Sequence, residues 1–134
     1  FADKFHHAKE ELQLFDLLAQ RGLPAQAGPL AVMTREHEEG RAHLREMLEA
    51  LPGAAQKDLN SERLFARHAR TYIDLLRQHI RKEDNVLFPT ADRSLTQEDD
   101  ALLIQAFEQF SEEKERGQYE KYRQWAEELK QEKE

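Results

Sequence analysis

Three segments of this 134-residue chain share one pattern, an apolar stripe at helical spacing with a histidine set into it. His7, Glu11, Leu14 and Leu18 fall at i, i+4, i+7 and i+11. Leu30, Met33, His37, Leu44 and Leu48 keep a comparable spacing, as do Tyr72, Leu76, His79, Glu83 and Val86. Residues so spaced lie along one side of an α-helix, the side it turns toward a core. No segment alternates with period two, so the pattern predicts an all-α fold without strands. In two of the stripes a glutamate follows the histidine by four residues, about one helical turn.

Glycine and proline punctuate these stripes. A first helix is expected over about residues 1 to 20, ending near Gly22-Leu23-Pro24. Pro29 suits the first turn of a second, which runs to about Leu51 and stops at Pro52-Gly53. Ala54 to Asn60 reads as a loop. Asn60 or Ser61 then caps a third helix reaching about Leu87, before Pro89. Thr96 followed by Gln97, Glu98 and Asp99 reads as a capped start, and the fourth helix extends to about Glu115. Gly117 breaks it. A last helix covers about Gln118 to Lys133, with Tyr119, Tyr122, Trp125 and Leu129 at helical spacing for packing on its neighbours. The whole reads as a single domain over residues 1–134, with a C-terminal helical extension from about residue 96.

Composition narrows the function classes. The formal charge of −7 argues against a broad nucleic-acid surface. There is no cysteine, which excludes disulfides, iron–sulfur clusters and thiol chemistry in this chain. No apolar run approaches the ~20 residues of a membrane span, so no membrane partner is expected. No secretion signal is visible either, which points to the cytoplasm. The chain opens on Phe1-Ala2-Asp3, already with helical character and without methionine, and so reads as part of something longer.

The stripes themselves pose an electrostatic problem. An ionised carboxylate costs several kcal/mol to bury unless it is compensated, and Glu11 and Glu83 come from different helices. A polyvalent cation would neutralise both and accept a lone pair from each imidazole. The candidate metal ligands are therefore His7, Glu11, His37, His79 and Glu83. Nitrogen and oxygen donors without sulfur favour iron, manganese or zinc. A lone histidine on an apolar face, or one His-x-x-x-Glu pair, is more often a hydrogen-bonded structural feature, and the weight here rests on three such features together. His6 points about 100° away from His7. His6 and Glu10 repeat the spacing one residue out of phase, but Leu14 and Leu18 continue the His7/Glu11 side. His43 leaves the side that holds His37. His68 lies about 16 Å along the helix from His79. All three read as structural or solvated. Tyr72 reads as an aromatic core residue, and Glu10, Glu38 and Arg41 as neighbours able to orient ligands.

The same residues carry a family resemblance. His6-His7-Ala8-Lys9-Glu10-Glu11 resembles the HHxKEE segment of hemerythrin-like cation-binding domains. Glu36-His37-Glu38-Glu39-Gly40-Arg41 is similar to their EHxxGR segment, and His79 through Pro89 to their HxxKE…LFP segment. Order and spacing match from Phe1 to about Asp92. The resemblance implies an antiparallel up-down helical bundle around a non-haem di-iron centre. It further implies that His7, Glu11, His37, His79 and Glu83 ligate two iron ions, with Glu11 and Glu83 bridging and an oxo or hydroxo group completing the bridge. The family places one more ligand histidine on a helix before HHxKEE, a helix this chain lacks. That would expose apolar surface and makes a homo-oligomer plausible.

The implied function is reversible binding of dioxygen, or sensing of oxygen, iron or redox state. The partner would be dioxygen, another small diatomic, or peroxide. A di-iron enzyme acting on peroxide, nitric oxide or ferrous iron is the runner-up. A metal-free helical interaction module is the third reading.

Overall fold

The computed structural model describes residues 2–114 and 117–131. Among them every regular element is helical, and no strand forms. The chain divides into two compact units, one formed by Phe1–Arg21 with Leu95–Glu134, the other by Gly22–Ser94.

The second unit is a helical hairpin. Its first helix, α2, spans Gly28–Ala55, with Pro29 in the opening turn as expected. It runs past Pro52 rather than stopping there. Proline removes one N–H from the ladder, but the rest of the last turn is closed from outside. Asp58 N–H bonds Gly53 O at 3.0 Å and Lys57 N–H bonds Ala54 O at 2.9 Å, with Lys57 at φ 63°. This is the double closure that ends helices on a left-handed residue. Asp58, rather than Asn60 or Ser61, caps the next helix. Its carboxylate accepts from Ser61 N at 2.8 Å and Ser61 Oγ at 2.7 Å.

That helix, α3, covers residues 59–94 in three parts: α-helix Leu59–Lys82, a widened π turn Glu83–Leu87, and α-helix Phe88–Ser94. It continues through Pro89, where the sequence suggested an end. The proline ring crowds the carbonyl four residues back, and that carbonyl belongs to Asn85, inside the widened turn. Facing pairs establish that α2 and α3 are antiparallel: Gly53 meets Ser61, His43 meets His68, Gly40 meets Tyr72, and His37 meets His79. Two glycines set the approach. A Cβ on Gly53 would lie 2.8 Å from Ser61 Cβ, and one on Gly40 would lie 3.2 Å from Tyr72 Cε2.

In the first unit, α1 covers residues 2–20. It opens with π turns at Ala2–His7 and Glu10–Leu14 and finishes as α-helix Phe15–Gln20. Helices α4 (Gln97–Lys114) and α5 (Gln118–Gln131) complete the unit. Leu14, Phe15 and Leu18 are buried. Thr96 caps α4 as expected, in a reciprocal arrangement. Its hydroxyl accepts from Asp99 N at 3.2 Å, and the Asp99 carboxylate accepts from Thr96 N at 3.0 Å. Arg21 Nε donates to the same carboxylate at 2.9 Å. The Arg21 and Thr96 bonds hold Asp99 well below the usual carboxylate range, against its burial. Lys9 Nζ donates to Ser111 Oγ at 2.6 Å, and the Phe5 and Tyr122 rings sit 6.4 Å apart.

The last helix packs less than its spacing suggested. Tyr122 is half-buried, but Trp125 and Leu129 are exposed, and Trp125 touches only Tyr122 and Lys121 of its own helix in the ring contacts among the described residues. The helix ends expected at Glu115 and Lys133, and the side chain of Tyr119, lie outside the described residues.

Candidate metal centre

The α2–α3 hairpin brings His37, His79 and Glu83 together. Each offers a ligand atom, and these atoms lie within 4.8 Å of one another. His37 Nε2 and His79 Nε2 are 3.0 Å apart, and His79 Nε2 is 3.0 Å from Glu83 Oε1. All three residues are at most 3% exposed, so bulk water does not screen them.

Glu36 fixes the arrangement. Its Oε2 lies 3.0 Å from His79 Nδ1, and its other oxygen accepts from Lys82 Nζ. Burial pushes the Glu36 carboxyl up, but the bonds from Lys82 and His79 push it down further, leaving it below its ordinary value. An ionised Glu36 accepts the Nδ1 proton of His79, which leaves the Nε2 lone pair directed at Glu83. A lone pair and a carboxylate oxygen 3.0 Å apart repel unless a proton or a metal cation lies between them. The donor set therefore fits a cation: two imidazole nitrogens and a carboxylate, with a second carboxylate behind one imidazole to orient it.

The widened turn of α3 shapes this set. Phe88 N–H reaches back five residues to Glu83 O. With the longer turn, Leu87 rather than Val86 stacks on the Glu83 side. Leu87 is fully buried and Val86 is 46% exposed. Single widened turns of this kind are frequent at functional sites.

The first unit carries the other candidates. His7 is buried at 4% exposure, and Glu11 is half-buried. Glu10 is also buried at 4%, with Leu14 one widened turn along from it. His6 is exposed and lies 3.7 Å from Glu10 through Nε2. Sequence spacing had set Glu10 beside the ligands. Its burial makes it a candidate alongside Glu11, and the signal for it was the out-of-phase His6/Glu10 pair. Glu36 was missed as the partner of His79, since nothing in a helical wheel links residues on two helices. Glu38 accepts from Arg41 at 2.7 Å on the surface of α2, and Tyr72 is half-buried against Gly40.

An apolar cleft of about 290 Å³ opens in the same hairpin, lined by Pro29, Val32, Met33, Lys82, Val86 and Leu87. Lys82 joins it to the Glu36–His79 pair. No helix among the described residues is long and apolar enough to cross a membrane.

Comparison with known proteins agrees with this geometry. No curated protein and no solved structure matches the chain. The family model for the hemerythrin HHE cation-binding domain matches residues 1–91, well over half of the 134 residues. With a matching helical fold and a buried histidine–glutamate cluster in the hairpin, the chain belongs to the hemerythrin HHE cation-binding family.

Proposed function

We propose that this chain holds a carboxylate-bridged pair of iron ions and uses it to bind dioxygen, or to sense oxygen, iron or redox state. The observation that carries the reading is the His79 environment. Its Nε2 faces both His37 and Glu83, and its Nδ1 is held by an ionised Glu36. His37, His79 and Glu83 supply ligands from the hairpin, and the HHxKEE segment supplies His7 with Glu11 or Glu10. In this reading Glu83, with Glu11 or Glu10, would supply the carboxylates that the two ions share.

The iron pair, when bound, supplies reducing electrons to dioxygen. The protein's own contribution is positional. Lys82 keeps Glu36 charged, Glu36 fixes the His79 ring, and His37 and Glu83 stand beside His79 Nε2, where a cation would replace the proton that the two imidazoles share. The apolar cleft beside Lys82 offers a small uncharged gas a nonpolar surface next to these residues. Manganese or zinc would satisfy the same donors without the electron chemistry. The cytoplasm remains the compartment this reading favours.

Anomalous scattering at the iron edge from crystals of protein purified without chelator tests the metal. Two iron peaks bounded by these residues are expected. Well under one iron, manganese or zinc per chain would end the metal reading in favour of a helical interaction module. Stopped-flow mixing of the reduced protein with dioxygen then tests the role. Binding that reverses under vacuum is expected. Repeated turnover with added reductant would instead identify an enzyme.

A further inference from the structure

A second histidine pair crosses the same hairpin. His43 on α2 and His68 on α3 face each other through Nδ1 at 2.9 Å, with ring centroids 5.2 Å apart and planes at 49°. Both are half-buried. The pair is six residues from His37 on α2 and eleven from His79 on α3, about 9 and 16 Å along the helix axes. It shares no residue with the centre described above.

Two imidazole nitrogens facing each other can share only one proton. Arg67 Nη2 lies 3.4 Å from His68 Nε2 and donates to it. His68 therefore carries its proton on Nδ1 and donates to His43 Nδ1. If that proton sits on His68 Nε2 instead, and exposed Arg67 turns to solvent, both Nδ1 lone pairs point into the shared gap. No net proton is gained or lost in that exchange of tautomers. Two nitrogens bound to one ion at about 2.0–2.1 Å stand roughly 3 Å apart when they are neighbouring ligands. The gap has that width already. Gly40 and Tyr72, one turn from His43 and His68 respectively, set the helix separation that gives it.

We propose that His43 and His68 form a second metal site, separate from the His37/His79/Glu83 centre, taking one divalent copper, nickel or zinc ion through both Nδ1 atoms. Among the described residues, no histidine, aspartate or glutamate joins these two in a three-ligand group. Water therefore completes the shell, and the ion exchanges readily. Neutral nitrogen donors without a carboxylate favour the later first-row ions over iron(II) or manganese. The two ends of one hairpin thus differ in metal preference.

The test uses the intact protein. Imidazole nitrogen NMR during zinc titration is expected to move the Nδ1 signals of His43 and His68 together. Equilibrium dialysis is expected to show His43→Gln and His68→Gln each binding one zinc fewer than wild type, with binding at the His79 centre unchanged. Copper(II) added to wild type whose His79 centre is already filled with iron should give an electron paramagnetic resonance signal coupled to two nitrogens, which either variant loses. Static Nδ1 signals in excess zinc, or movement of only one of the two, overturns the site. So does unchanged zinc stoichiometry in folded variants. Should a variant unfold by circular dichroism, the wild-type NMR titration decides alone.

Discussion

The α2–α3 hairpin holds two cross-helix histidine pairs of nearly equal closeness, His37–His79 at 3.0 Å and His43–His68 at 2.9 Å. Their surroundings differ. The first pair is buried, with Glu83 on one side of His79 and Glu36 on the other. The second is half-buried, with an arginine as its charged neighbour. Spacing between imidazoles is thus common to both, and what distinguishes them is negative charge held away from water. A buried carboxylate opposite a lone pair demands a cation, whereas two half-solvated imidazoles merely accommodate one.

The largest test of that contrast is removal of a ligand. His79→Ala or Glu83→Ala should abolish iron retention and lower the melting temperature of metal-loaded protein. Binding at a hundred times Kd stabilises the folded state by about 2.7 kcal/mol, so a shift of several degrees is expected. His43→Ala should leave iron content unchanged. Iron analysis beside thermal denaturation, with and without chelator, reads both. Equal loss of iron from His43→Ala and His79→Ala would erase the distinction between the two ends.

A smaller effect isolates the charge of Glu36. Glu36→Gln keeps an oxygen able to accept from His79 Nδ1 but loses the negative charge and the ion pair with Lys82. Replacing such a supporting group typically weakens metal affinity by about 10–100-fold. The same substitution should barely change the melting temperature of metal-free protein, since glutamine fills the same space. Competition against a chelator of known affinity measures it. Undiminished affinity would mean that His79 is oriented by packing alone.

How far this contrast was legible in the sequence follows from what a helical wheel can see. It places His37, His79 and Glu83 on inward sides because each lies within an apolar stripe of its own helix. It also finds the helices of the described residues, since Gly22 and Gly117 mark breaks between them. It fails where the turn is not 3.6 residues. The widened turns at Glu10–Leu14 and Glu83–Leu87 bury Glu10 and Leu87 and turn Val86 outward, against a regular wheel. It fails also at helix ends, where Pro52 and Pro89 suggested stops. The closure through Lys57 and Asp58 carries α2 past the first, and the widened turn lies just ahead of the second. Cross-helix partners are invisible to it altogether. Both Glu36–His79 and His43–His68 depend on the register of two antiparallel helices, and that register is set where Gly40 meets Tyr72 and Gly53 meets Ser61, contacts that the pattern of a single helix does not encode.

The smallest effect concerns the turn that fixes this register. The Ser61 hydroxyl and backbone bonds hold the Asp58 carboxyl below its ordinary value of 3.8. A carboxyl whose folded value is depressed stabilises the fold above its unfolded value and loses that contribution as pH falls through the folded one. Wild type should therefore melt slightly above Asp58→Ala at neutral pH, and the two should converge as pH drops below about 4, where aspartate in the unfolded chain begins to bind protons. The turn lies nearer His43 and His68 than His37 and His79 along both helices. Loosening it should therefore weaken zinc at His43–His68 more than iron at His37–His79, in metal titrations of Asp58→Ala at neutral pH. Equal weakening at both would show that the hairpin transmits strain along its whole length, and that burial and charge at the His79 end do not hold that centre in place independently of the turn.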